Sequence, residues 1–114
     1  MKYMLLVYQD EANAITAPER EKCYVDSAQL CRELADTGNY LGAAPLHFTS
    51  TATSVRVRDN RRVVTDGPFA ESKEVLGGFW LLEAKSYEEV EGFLKDHPHL
   101  DAGSLEVRQI EEMG

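Results

Sequence analysis

Two segments of this 114-residue sequence, "KYMLLVY" (2–8) and "GGFWLLEA" (77–84), have the length of β-strands yet do not alternate. Successive strand side chains point to opposite faces of a sheet. A strand that is apolar on both faces must therefore be covered on both sides. The rest of the chain has to supply that cover.

Two helices are available for it. "TAPE" offers Thr16 as a cap with Glu19 three residues on, and Pro18 suits a first turn. Tyr24, Ala28, Cys31 and Ala35 then recur at helical spacing with Leu34 alongside. This predicts an amphipathic helix over about 18–37, ended by Gly38-Asn39. "SYEE" repeats the capping signature with Ser86 and Glu89; Tyr87, Val90, Phe93 and Leu94 form a second helix face that His97-Pro98 stops.

Between the helices, "YLGAAPLHF" (40–48) is a broken apolar segment that Pro45 confines to a strand edge or a bend. Val55 and Val57 alternate with Arg56 and Arg58, turn at Asp59-Asn60 and return through Val63-Val64 as a hairpin. "SLEVRQI" (104–110) closes the chain as a strand with Leu105 and Val107 on one face. The order β-α-β-(hairpin)-β-α-β predicts one α+β domain over residues 1–114, a ferredoxin-like sandwich with an extra hairpin.

Two helices cover only one face of such a sheet. The other face of strands 2–8 and 78–84 would then be an exposed apolar patch larger than monomers usually carry. A second copy packed sheet to sheet removes it, so a homodimer is expected.

The formal net charge of −8 argues against nucleic acid or an anionic membrane as a partner, since both demand a basic surface. No run of about 18 apolar residues is present to span a bilayer. The N-terminal stretch reads as a first strand rather than a signal peptide, so the cytoplasm is the expected compartment. Arg56, Arg58, Arg61 and Arg62 read as the solvated face of a ribbon, with local anion binding as the alternative. Cys23 and Cys31 stand eight residues apart on one helix, or about 12 Å along its axis. That is too far for a disulfide and unlike a zinc ligand pair, so both are expected to be small core residues.

Chemistry centres on "DGPF" at 66–69. An Asp before Gly can bond downstream N–H groups, Gly67 permits a positive φ, and Pro68 fixes the next φ without donating a hydrogen bond. Phe69 reads as a core anchor. Two roles for Asp66 stay open: part of a rigid turn, or a held carboxylate whose pKa rises among apolar neighbours so that it serves as general acid or base. Glu71, Ser72, Lys73 and Glu74 read as mostly solvent-facing, with Glu71 or Lys73 able to fold over a pocket.

His97 and His99 flank Pro98. A helix C-terminus favours a histidine there, acid–base work is the alternative, and the spacing fits no standard metal site even with Asp96 or Asp101. His47, after the bend, and Tyr8, at the end of the first strand, are further pocket-lining candidates. Gly77-Gly78 lacks the spacing of a dinucleotide loop. No cofactor and no metal is expected.

"MKYMLLVY", "STATSVRVRD", "VTDGPFAESKEVLGGFWLLEAKSYEEV" and "GSLEVRQI" together resemble the DGPF-domain branch of the YCII-related family, over essentially the whole chain. The resemblance implies a ferredoxin-like protein that dimerises through its sheets as a dimeric α/β barrel, in agreement with the homodimer argued above. Members are described as enzyme-like on the strength of a recurring His and Asp, and some accompany extracytoplasmic-function sigma factors. Carried over, Asp66 is the Asp of the motif and His97 the best-placed His, with His47 and His99 as competitors. Dimeric α/β barrels include isomerases, dehydratases and cofactor-free monooxygenases, an analogy at fold level that names no substrate.

Two functions are thus expected to compete. One is acid–base catalysis on a small molecule by Asp66 and a His, with Tyr8, His47, Gly67, Pro68, Phe69, Glu71 and Lys73 lining the pocket. The other is a non-catalytic module that binds a ligand or a protein such as a sigma factor.

Overall fold

In the computed structural model, which describes residues 1–10, 17–67, 74–95, 97–98 and 103–113, the two doubly apolar segments become the two central strands. The elements are β1 (Lys2–Gln9), α1 (Ala17–Asp36), β2 (Tyr40–Pro45), a 3-10 turn (Thr49–Thr51), β3 (Thr53–Arg58), β4 (Arg61–Asp66), β5 (Val75–Glu83), α2 (Tyr87–Leu94) and β6 (Gly103–Gln109). Strands β2-β5-β1-β6 form an antiparallel sheet in that order, and β3-β4 stands apart as a two-stranded ribbon. With the ribbon set aside, this is the ferredoxin-like α+β arrangement.

Register decides which side chains meet. Leu5 lies opposite Trp80 and Val107, and Tyr3 opposite Leu82. Those side chains share one face with Val7, and Leu34 of α1 and Val90 of α2 close over them as the core. Leu5, Leu82 and Val90 are fully buried. Leu105 and Val107 pack against this cluster, as their spacing implies. The opposite face carries Met4, Leu6, Phe79 and Leu81, all half-buried, and no helix among the described residues lies over it.

The helices differ in detail from the periodicity. In α1 the side chains that reach the core are Leu30, Cys31 and Leu34, whereas Tyr24 is 52% exposed and Ala35 is exposed. The helix joins the core through its C-terminal half, and among the described residues the N-terminal part of the stripe takes no part in it. Both cysteines are half-buried, and of the two it is Cys31 that packs against the core. α2 ends at Leu94, before His97-Pro98, and Tyr87 stays exposed while Val90 carries the burial. Thr16 lies outside the described residues.

Turn chemistry follows the sequence closely. Asp59 and Asn60 both have positive φ, 50° and 64°, the signature of the hairpin turn whose twist matches its strands. Gly38, at φ 79°, ends α1; its N–H donates to Ala35 O at 3.1 Å and the Asn39 N–H to Leu34 O at 2.8 Å.

Asn39 then ties three elements together. Its Nδ2 donates to Glu83 O at 2.8 Å and to Glu89 Oε1 at 2.9 Å. Glu89 also accepts from the Lys85 N–H at 2.9 Å, while its own N–H donates to the capping Ser86 Oγ at 3.3 Å. The Lys85 N–H and then the Asn39 amide hold the Glu89 carboxyl below its ordinary value. A depressed folded-state value stabilises the fold above the unfolded-state pKa and is lost as pH falls through the folded one. Glu89→Gln should therefore melt below wild type at neutral pH, with the gap closing in acid. Parallel melts across pH check this, and a gap constant with pH would contradict it.

Candidate active site

Chain reversal at the open end of β1 and β2 gathers the first group of interest. β1 and β5 pair regularly until Val7 meets Gly78, after which Tyr8 meets Leu76. Gly77 is the extra residue of a β-bulge, a device that re-aims side chains at a strand end. Beyond it Leu76 lies on the same side as Tyr8. Past Pro45 the Leu46 N–H donates to Gly77 O at 2.9 Å, so the chain carrying His47 and Phe48 stays beside β5. The outcome is a cavity of about 460 Å³ lined by Tyr8, Leu46, His47, Phe48, Glu74 and Leu76, among others. Its wall is mainly apolar, and Tyr8, His47 and Glu74 add a phenol, an imidazole and a carboxylate to the lining; Tyr8 is half-buried, and His47 and Glu74 are exposed.

Two neighbouring elements reach its edge. The Arg20 guanidinium of α1 lies 5.5 Å from the centre of the Phe48 ring, within cation–π range. Sequence spacing gave no hint of this contact, because Arg20 and Phe48 belong to different elements. On the other side, Ala52 lines the cavity and its carbonyl accepts from the Gly67 N–H at 2.7 Å. Asp66, next in the chain, is exposed and pairs with Thr53 at the root of the hairpin.

Gly67 has φ 99°, a conformation that glycine adopts without penalty. Its carbonyl accepts from Ser54 Oγ, and Ser54 is buried. The described part of the Asp-Gly turn is thus held by Ala52 and Ser54 across the hairpin, partners that the motif alone does not reveal. Pro68, Phe69, Glu71 and Lys73 lie outside the described residues, as do Asp96, His99 and Asp101.

His97 is elsewhere. It is 5% exposed, its N–H donates to Leu94 O at 3.1 Å, and its ring sits 4.6 Å from the Trp80 ring at 58°. Trp80 belongs to the helix-covered face. Among the described residues, Asp66 and His97 line no common cavity; Tyr8 and His47 are the expected site residues that share one.

A second cavity, about 220 Å³, lies between α1 and the β2–β5 pair, lined by Tyr24, Ser27, Cys31, Tyr40, Gly78 and Trp80, among others. Burial pushes the Cys31 thiol up, and a hydrogen bond with the Tyr40 hydroxyl pulls the other way. Burial likewise raises Tyr40. The largest described cavity, about 630 Å³, lies among Met1, Lys2, Glu83 and the 109–112 segment and gathers none of the residues expected to do chemistry. Among the described residues, no cluster of three or more His, Cys, Asp or Glu side chains could hold a metal ion, and no helix is long and apolar enough to cross a membrane.

The model of the YCII-related domain matches residues 1–114. The chain belongs to the YCII-related family. A YCII-related chain of this kind is 34% identical over 114 residues to the uncharacterized protein R00369 of Rhizobium meliloti (strain 1021), covering 96% of this chain and 92% of that one. Among solved structures, it is similar to the 5-chloro-2-hydroxyhydroquinone dehydrochlorinase of Burkholderia phenoliruptrix AC1100, in complex with 2,5-dihydroxybenzoquinone. That match has a TM-score of 0.55 at 14% identity and covers 99% of this chain and 96% of the other. At that identity the likeness establishes the ferredoxin-like fold alone.

Proposed function

We propose that this YCII-related protein, of the DGPF type, is an enzyme that performs acid–base chemistry on a small molecule bound in the cavity lined by Tyr8 and His47. The observation that carries the reading is the gathering of a phenol and an imidazole in one mainly apolar cavity, the composition of small-molecule sites in general. His47 takes a proton from the bound molecule, and Tyr8 donates a hydrogen bond to the oxygen on which negative charge develops. Asp66 stands at the hairpin root beside Ala52, within the neighbourhood of the same cavity, and is the carboxylate partner in this scheme. The fold of a dehydrochlorinase offers a precedent for small-molecule chemistry on this scaffold, without transferring its substrate.

The active form in this reading is a homodimer joined through the bare sheet faces as a dimeric α/β barrel, working in the cytoplasm. The support is the unroofed row of Met4, Leu6, Phe79 and Leu81. A second reading, a protein-binding module that meets a sigma factor, draws on the hairpin, where Val55, Val57 and Val64 are exposed along one face.

Turnover of a panel of hydroxylated ring compounds and small keto acids separates the two. His47→Ala should lower kcat/KM by about 10²–10⁴-fold, the usual worth of a general base. Asp66→Asn should cost less, with unchanged circular dichroism in both. Full activity in His47→Ala, or no turnover with co-purification of a sigma factor, would discard the catalytic reading.

A further inference from the structure

We propose that the cleft beneath α1 is a second binding site, separate from the His47 cavity, for a small neutral ring bearing a hydroxyl or carbonyl group. Size comes first. A dry protein cavity of about 150 Å³ admits benzene, and this one is about 220 Å³. A six-membered ring with one or two substituents fits that space.

Composition narrows the class. The walls are predominantly apolar, and the floor is the Trp80 ring, held by the Tyr40 ring edge-on at 6.5 Å and by His97 behind it at 4.6 Å. Gly78 lets β5 approach β2 closely along one wall. A Cβ there would stand 3.0 Å from Ala44 O and 3.4 Å from Pro45 Cα, both residues of the lining. Hydrogen-bonding groups gather on the helix side and strand edge: Ser27 Oγ, which is buried, the Cys31 thiol and the Tyr40 hydroxyl.

Charge excludes the alternatives. Among the described residues, no Lys, Arg, His, Asp or Glu lines this cleft, so a bound ion would find no counter-charge among them. The net charge of −8 disfavours anions further. Burial keeps Cys31 and Tyr40 in their neutral forms, which suits hydrogen bonding to an uncharged ligand. A way in runs along α1, where Cys23, Ser27, Leu30 and Cys31 are only half-buried.

The chain's single tryptophan lines the cleft and reports on it directly. Phenol should produce a saturable change in Trp80 emission with a Kd on the order of millimolar, the range open to so small a ligand. Benzoate, nearly the same size but anionic, should bind at least tenfold more weakly. Ala28→Leu, which fills the cleft from the helix side, should weaken phenol at least tenfold, and His47→Ala should leave it unchanged. In a Cys23→Ser background, phenol should slow the labelling of Cys31 by a thiol reagent, a readout that does not need the filled variant to fold.

A non-saturating response together with unprotected Cys31 would overturn the site. Benzoate binding as tightly as phenol would overturn the ligand class. Loss of phenol binding in His47→Ala would move the ligand to the other cavity.

Discussion

Leu82→Ala is expected to lower the free energy of unfolding by about 2–5 kcal/mol, the cost of emptying a fully buried leucine position. Leu82 is 1% exposed, stands opposite both Tyr3 of β1 and Tyr40 of β2, and belongs to the core under the helices. Strands on both sides limit how far the structure can collapse into the space. Urea unfolding should show a lower midpoint with an unchanged slope. The neighbouring truncation, Leu81→Ala, removes the same atoms from the other face of the same strand. Its loss should vary with protein concentration if that face is roofed by a second copy. A Leu82→Ala midpoint within error of wild type would mean that the core is not where the packing puts it.

Placing a carboxylate on the bare face should be the strongest perturbation of assembly. Leu6→Glu is expected to turn a homodimer into a monomer, raising the dissociation constant by at least about 10²-fold. That is roughly 3 kcal/mol, modest beside the cost of burying an unpaired charge. Leu6 lies opposite Phe79 on β5 and Glu106 on β6, so the new carboxylate gains no cation from its paired neighbours. Sedimentation or light scattering at micromolar concentration decides the matter. A monomeric wild type would discard the dimer, and an equally dimeric Leu6→Glu would move the interface to another surface.

The fold was legible because its strongest signal was local. Missing alternation in residues 2–8 and 77–84 identified the central strands, and Asp59-Asn60 marked a turn whose two positive φ angles are the ones such a hairpin needs. The start of α2 was legible from its Ser86 cap and the end of α1 from Gly38. Which side of α1 is buried was not, because periodicity cannot tell where along its length a helix meets its sheet, and Tyr24 lies beyond that contact.

The site was harder to read for a related reason. Tyr8 and His47 are individually ordinary, and only the pairing of β1, β5 and the segment after Pro45 makes them neighbours. The Asp-Gly motif was visible, yet its anchors, Ser54 and Ala52, sit across the hairpin where no short pattern includes them. For His97 the sequence left a helix-end role and acid–base work both open, and its contact with the Trp80 ring depends on β5, which no local pattern around His97 includes.

The bulge at Gly77 has a consequence for how a site like this is inherited. Upstream and downstream of it the strand runs in opposite phase, so Leu76 shares a side with Tyr8 only because one residue is unpaired. Substitutions along β5 alter the wall of the cavity by degrees. Loss of a single codon there would instead invert which residues form the wall, while leaving their identities intact. Residue count between Tyr8's partner and the core is therefore as much a part of the proposed site as His47.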